Sequence, residues 1–174
     1  MRILAIDPGN IESGYALIES SNCMPISIGK KENYTLREMI RQGQFNNTDI
    51  VSIEMIKSYG MPVGAEIFET CVWIGRFLEL LLPVDVELVY RADVKLHHCH
   101  SSKAKDSNIT QALIDRFASG VRNRGKGTMD EPGWFYGFKA DIWAAYALAV
   151  YTADTLHATD VTAGAACDAR EVAS

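Results

Sequence analysis

The stretch Ile3-Leu4-Ala5-Ile6-Asp7-Pro8-Gly9 constrains this chain more than any other. Four consecutive apolar residues without alternation specify a buried strand, and Pro8 and Gly9 break its pairing at once. Asp7 is thereby delivered to the rim of a sheet. Residues 14–18, Gly-Tyr-Ala-Leu-Ile, read as a strand returning beside the first, so a hairpin frames the acid. A carboxylate in that place loses solvation unless positive charge stands beside it, and a hard divalent cation is the simplest partner. On this segment alone, an acidic turn residue ahead of Pro-Gly explains Asp7 as well.

The rest of the chain supplies a third strand over residues 24–30, a short amphipathic helix over 34–43 and a fourth strand over 50–54 that ends in Glu54. If the first and fourth strands lie side by side and parallel, their carboxyl ends coincide, and Asp7 meets Glu54 where open α/β sheets place their ligands. Residues 55–64, with Gly60, Pro62 and Gly64, form a loop carrying Lys57, Tyr59 and Met61, which no core requires. A long helix follows over 66–82. Gly75 in its middle suggests close packing, so the Trp73, Gly75 and Phe77 neighbourhood is the expected contact with a second chain. A fifth strand spans 86–90, and another helix begins at Arg91.

The run His97-His98-Cys99-His100 does not have the spacing of a zinc site, because neighbouring side chains on a helix point apart. Its histidines are read as facing water or phosphate. A helix over 108–117, capped by Asp106 or Ser107, is followed by a glycine-rich basic stretch over 119–137 that reads as mobile. The last helix is predicted from residue 139 or 140 to about 155, with Asp141 in its first turn, either as a helix-capping acid or projecting towards Asp7 and Glu54. Residues 1–156 form one domain in this reading, and 157–174 a frayed tail.

Net charge is −5 over 174 residues, an argument against nucleic acid as partner, but the average hides a block. Residues 91–126 hold eight Lys or Arg against three Asp, a net +5 opposite acidic surfaces, as a selective polyanion binder would have. No run of 18 apolar residues and no signal-peptide pattern occurs, which predicts a cytoplasmic protein with no membrane partner. Cys23, Cys71, Cys99 and Cys167 lie far apart and fit reduced thiols.

Three acids, Asp7, Glu54 and Asp141, thus come from separate segments. Brought together they repel one another, and two Mg²⁺ ions about 4 Å apart would supply the compensating charge and suit in-line phosphodiester hydrolysis. No Walker A loop, Gly-x-Gly-x-x-Gly fingerprint or Ser-His-Asp order competes for the chemistry.

Ile6-Asp7-Pro8-Gly9 with Ser13-Gly14-Tyr15, a strand ending Ile53-Glu54, and a late helix opening on Asp141 with Ala144-Ala145-Tyr146-Ala147-Leu148-Ala149 form an ordered set. That set resembles the RuvC-type Holliday-junction resolvases, especially their short bacteriophage versions, over residues 1–155. Asp93-Val94-Lys95 and Ser102-Lys103-Ala104-Lys105-Asp106 add to the likeness. The resemblance implies an α/β, RNase H-like fold, a five-stranded mixed sheet flanked by α-helices. It also implies a homodimer that cuts opposing strands of branched, four-way DNA, with two Mg²⁺ per site (Mn²⁺ as a substitute) held by Asp7, Glu54 and Asp141. Tyr59 and Met61 would act as a wedge at the junction centre, and Lys57, Lys103 and Lys105 would contact phosphates.

One departure stands out. The family places a second acid one turn into the last helix, where this chain has Ala144. Three acids suffice, or Asp130 or Glu131 swings in, or the protein is a disabled form. The first is preferred, because Asp7 can bridge two ions while Glu54 and Asp141 hold one each. An actin-like ATPase also opens on strand, Asp-x-Gly turn and hairpin, but needs a second domain for which 174 residues leave no room. A junction-binding protein without cutting activity, and a broader nuclease acting on flaps, forks or RNA–DNA hybrids, remain as alternatives.

Overall fold

The computed structural model describes residues 1–58, 60 and 62–171, with side chains described as far as residue 158. Five strands form one sheet: β1 (Arg2–Asp7), β2 (Glu12–Glu19), β3 (Pro25–Glu32), β4 (Ile50–Met55) and β5 (Asp85–Tyr90). Their order is β3-β2-β1-β4-β5, antiparallel for the two hairpin pairs and parallel for β1 with β4 and β4 with β5. This is the mixed, helix-flanked sheet of the RNase H-like fold.

The uninterrupted apolar character of β1 has a direct cause. Ile3 and Ala5 point into one core, Leu4 and Ile6 into another, so both faces are covered and no polar residue is tolerated. Helices α1 (Asn33–Arg41) and α2 (Ala65–Leu81) cover one face, Leu36, Ile40, Trp73 and Phe77 packing on Leu4, Ile6, Val51 and Ile53. The other face is covered by α3 (Arg91–Cys99), α4 (Asp106–Phe117) and α5 (Ile142–Glu171). In α5, Ala145, Ala149 and Ala153 recur every four residues and are fully buried, and their small side chains let the helix axis approach β1 and β2.

Four expectations are corrected. The segment 119–137 is not wholly loose: residues 119–124 and 128–132 are exposed, but its end is packed, with Phe135 fully buried against Phe138, Trp143 and Tyr146, and Trp134 stacked on Phe117 and donating from Nε1 to the Tyr146 hydroxyl. The aromatic residues outweigh the glycines, because each buries a large apolar area. The last helix spans Ile142–Glu171, past the expected end near residue 155, as its alanine content and lack of proline allow. The histidines of α3 turn inward: His97 Nε2 meets Asp154 Oδ2 at 2.7 Å, and His98 Nε2 lies 2.9 Å from the Ala147 carbonyl oxygen. Burial depresses the His98 pKa to about 4, so this ring is neutral and serves packing. Trp73 and Phe77 are buried under α2 and are not available to a second chain.

Among the described residues no helix is long and apolar enough to cross a membrane.

Candidate active site

The carboxyl ends of β1 and β4 coincide, since Ile6 pairs with Ile53 in the parallel register. Asp7 and Glu54 follow these residues and open onto one cavity of about 560 Å³, lined also by Arg91, Asp106, Thr110, Asp141 and Ala144. The turn after Asp7 is fixed from α1. Asn33 donates from Nδ2 to the Gly9 carbonyl at 2.8 Å, while its Oδ1 accepts from the Ser13 hydroxyl at 2.6 Å. Ser13 and Gly14 therefore have separate tasks. The serine holds the turn, and the glycine, paired with Asp7 across the hairpin, leaves room for the backbone of Asp141.

Asp141 precedes α5 instead of occupying its first turn. Ala140 before it has a positive φ of 40°, and the Asp141 carbonyl accepts from Ala145 N–H at 3.0 Å, as a helix-capping residue's does. Its side chain is engaged by Lys30 of β3, whose Nζ lies 2.9 Å from both Asp141 Oδ2 and Glu12 Oε2. The side-chain hydrogen bond with Glu12, then that with Asp141, raises the Lys30 pKa, so the lysine stays charged.

Glu54 is paired too. Arg91, the first residue of α3, places Nη1 2.9 Å from Glu54 Oε2 and Nη2 2.9 Å from Asp106 Oδ1, while Lys95 Nζ reaches the same Asp106 oxygen at 3.5 Å. Burial raises the Glu54 pKa against the opposing pull of Arg91. Asp106 moves the other way: burial raises it, but the hydrogen bond and charge of Arg91 and the charge of Lys95 hold it below the usual carboxylate value.

Asp7 differs from both. Its carboxyl makes no hydrogen bond or ion pair among the described residues, and burial, reinforced by repulsion from Glu54 and only partly offset by Arg91, pushes its pKa up to about 8.

The cavity is thus lined by all three sequence-predicted acids. Two of them have basic partners remote in sequence, Lys30 beside Asp141 and Arg91 beside Glu54. Among the described residues no three His, Cys, Asp or Glu side chains stand close enough to hold a metal ion as they are. Self-repulsion accounts for both, since clustered carboxylates are stable only when cations separate them. The donor chemistry fits a hard divalent cation even so, with three carboxylates lining the cavity and Asp7 making no hydrogen bond or ion pair among the described residues.

Asp106 is a cavity residue that the sequence presents as a helix cap and as part of the segment carrying the family likeness, not as a member of the acidic cluster; nothing in its local pattern distinguishes these roles. It lines the cavity beside Ala144, whereas Asp130 and Glu131 do not. Lys103 and Lys105 are exposed just ahead of α4, outside the cavity lining. Lys57 is exposed with Nζ 5.2 Å from the centre of the Tyr90 ring. Tyr59 and Met61, the expected wedge, lie outside the described residues.

No protein-family model and no curated protein matches the chain. Solved structures do. The structure of RuvC from Thermus thermophilus superposes with a TM-score of 0.62 at 14% identity, covering 87% of this chain and 92% of that one. RuvC of the same organism in complex with a Holliday junction substrate gives a TM-score of 0.63 at 12% identity, covering 87% and 91%. At such identities the shared property is the fold.

Proposed function

We propose that this protein is a structure-selective endodeoxyribonuclease that cuts four-way DNA junctions on opposing strands, using Mg²⁺ or Mn²⁺. The observation that carries this reading is that Asp7, Glu54 and Asp141, from two strand ends and a helix start, line one cavity of an RNase H-like fold. The structural likeness to RuvC bound to a junction supports the choice of substrate.

Asp7, Glu54 and Asp141 would hold the divalent ions, which supply charge stabilisation at the scissile phosphate and an activated water. The chain's own contribution is position. The β1–β2 hairpin fixes Asp7, β4 fixes Glu54, and the start of α5 fixes Asp141, so the site is built on rigid elements. Lys57, Lys103 and Lys105 would contact phosphates at the rim, and Tyr59 and Met61 would enter the junction centre, where unstacked base pairs accept apolar side chains.

The test is a Mg²⁺ titration of nicking on a synthetic four-way junction beside a matched duplex, a flap, a fork and an RNA–DNA hybrid. Symmetric cuts confined to the junction are expected. Equal cutting of flaps or hybrids would replace the substrate assignment with a broader nuclease. Ion pairs on Glu54 and Asp141, with Ala144 in the cavity, favour one other reading, a binding module that does not cut. Tight junction binding without cleavage at any divalent ion concentration would select it.

Cutting opposing strands requires two sites, and the surface for a second copy is the exposed stripe of α2. Phe68, Val72, Gly75 and Glu79 recur at four- and three-residue steps and face solvent, with Phe68 62% and Val72 53% exposed. A Cβ on Gly75 would meet nothing within 4 Å, so close approach there is left for another chain. Val72→Glu is expected to give a monomer by sedimentation equilibrium with an unchanged circular dichroism spectrum. A dimer that persists would move the interface away from α2.

A further inference from the structure

Arg91 stands between two carboxylates of unequal exposure. Glu54 is 17% exposed in its side chain and Asp106 is 69% exposed, yet the two nitrogens of the guanidinium fork meet them at the same 2.9 Å. Lys95, one turn further along α3, approaches Asp106 from the same helix. Asp106 is thus wrapped by two cations, whereas Glu54 has Arg91 alone among the described residues. A divalent cation that draws on Glu54 competes with Arg91 for its charge, and directly for Oε2, and a displaced guanidinium then requires another anion. Asp106 already holds its second nitrogen, and its other oxygen, Oδ2, meets no protein donor among the described residues.

We propose that Arg91 is a positioning residue that holds Glu54 in competition with the divalent cation, and that Asp106, steadied by Lys95, is the anchor that keeps the guanidinium in the cavity after displacement. This inference rests on the carboxylate site proposed above and adds a regulator of its loading. Occupied by Arg91, Glu54 is neutralised and the site is stable without metal. Displaced but anchored, Arg91 stays beside the cavity, where its fork matches a phosphate oxygen pair. Asp106 acts only through Arg91 and is not itself a metal ligand.

That last point separates the proposal from a simple summation of charge. Removing a positive charge tightens cation binding and removing a negative one weakens it wherever the groups stand. The discriminating experiment is a double-mutant cycle with Arg91→Gln, Asp106→Asn and both together, reading Mn²⁺ affinity by electron paramagnetic resonance on the DNA-free protein. Arg91→Gln is expected to tighten Mn²⁺ binding about tenfold, since it frees Glu54. Asp106→Asn is expected to weaken it several-fold in the wild-type background and to have no effect in the Arg91→Gln background. A weakening by Asp106→Asn of equal size in both backgrounds would show Asp106 acting on the cation directly, and would overturn the anchor role. Unchanged affinity in Arg91→Gln would overturn the competition. Circular dichroism of all four proteins guards against misfolding. Arg91→Lys, which keeps the charge but not the fork, is expected to bind Mn²⁺ more tightly than the wild type and supplies the same reading should the glutamine variant unfold. No Mn²⁺ binding in any of these proteins removes the metal reading itself, and this inference with it, whereas additive effects remove this inference alone.

Discussion

Asp7→Asn should abolish divalent-dependent nicking of a four-way junction, with a fall of at least ~10³-fold, while leaving the apoprotein more stable than the wild type at pH 8. The rate figure follows from the several kcal/mol that a correctly held metal contributes to a phosphoryl transition state. The stability figure follows from the surroundings of Asp7. Its carboxyl is covered, lies beside Glu54 and lacks a partner of its own, and its pKa is pushed up to about 8 from 3.8.

The sign of the pH effect is fixed by that elevation. In the unfolded chain the carboxyl loses its proton near pH 4; in the folded chain it keeps the proton until pH approaches 8. Between these values the folded state binds more protons, so its stability falls as pH rises and levels off above about 8. The full displacement corresponds to ~6 kcal/mol as an upper bound, because relaxation and water entry reduce it. Asparagine has nearly the same shape and no charge to bury. Thermal unfolding from pH 5 to 9 without metal should therefore show a declining melting temperature for the wild type and a flatter profile for Asp7→Asn. Adding Mg²⁺ at pH 8 should raise the wild-type melting temperature and leave the variant unmoved. If the variant cuts junctions at the wild-type rate, the nuclease assignment fails. If the two pH profiles are parallel, Asp7 is solvated and the electrostatic account fails, whatever the activity.

Much of this architecture was legible because it depends on local rules. Residues 3–6 had to be a doubly covered strand, Glu54 had to end a strand of the same kind, and two such strands lying parallel bring their last residues together. The alanine and aromatic pattern around Tyr146 likewise predicted a helix packed on the sheet. What the sequence hid was pairing across distance. Lys30 reaches Asp141 from an edge strand 111 positions earlier, and Arg91 joins Glu54 to Asp106 across three elements. No periodicity encodes such contacts, since each depends on the sheet order. Glycine content misled over 119–137: at Gly125, Gly127 and Gly133 a Cβ would collide with neighbouring atoms, so these glycines permit tight packing there and do not signal looseness. The Trp73 and Phe77 expectation failed for the opposite reason. A helix with apolar residues on two faces offers no sequence clue to which face meets the sheet, and the structure assigns Phe77 to the core and Val72 to solvent.

Gly14→Ala is the substitution that best tests whether backbone packing, and not only carboxylate chemistry, makes the site. A Cβ at residue 14 would stand 2.5 Å from the carbonyl oxygen of Asp141 and 2.8 Å from its carbonyl carbon. Both are backbone atoms, fixed by the start of α5, so no rotamer change relieves the collision. Gly14 also pairs with Asp7, which makes it the point where the first acid's strand and the third acid's helix are held in register. One methyl group must therefore push α5 outward or β2 away from β1. Overpacking of this kind costs about 1–3 kcal/mol, and a displacement near 1 Å at a catalytic constellation can cost ~10²-fold in rate. The expected result is a melting temperature several degrees lower and nicking reduced about a hundredfold, with junction binding by the folded fraction retained. Gly75→Ala is the matched control. Its Cβ meets nothing within 4 Å in this chain, so the helix should gain up to ~1 kcal/mol and the melting temperature should not fall; the comparison is of stability alone, since Gly75 lies on the α2 stripe assigned to the second copy. Full activity in Gly14→Ala would mean that Asp141 tolerates displacement, and a carboxylate that can move so freely is not one the proposed hydrolysis depends on.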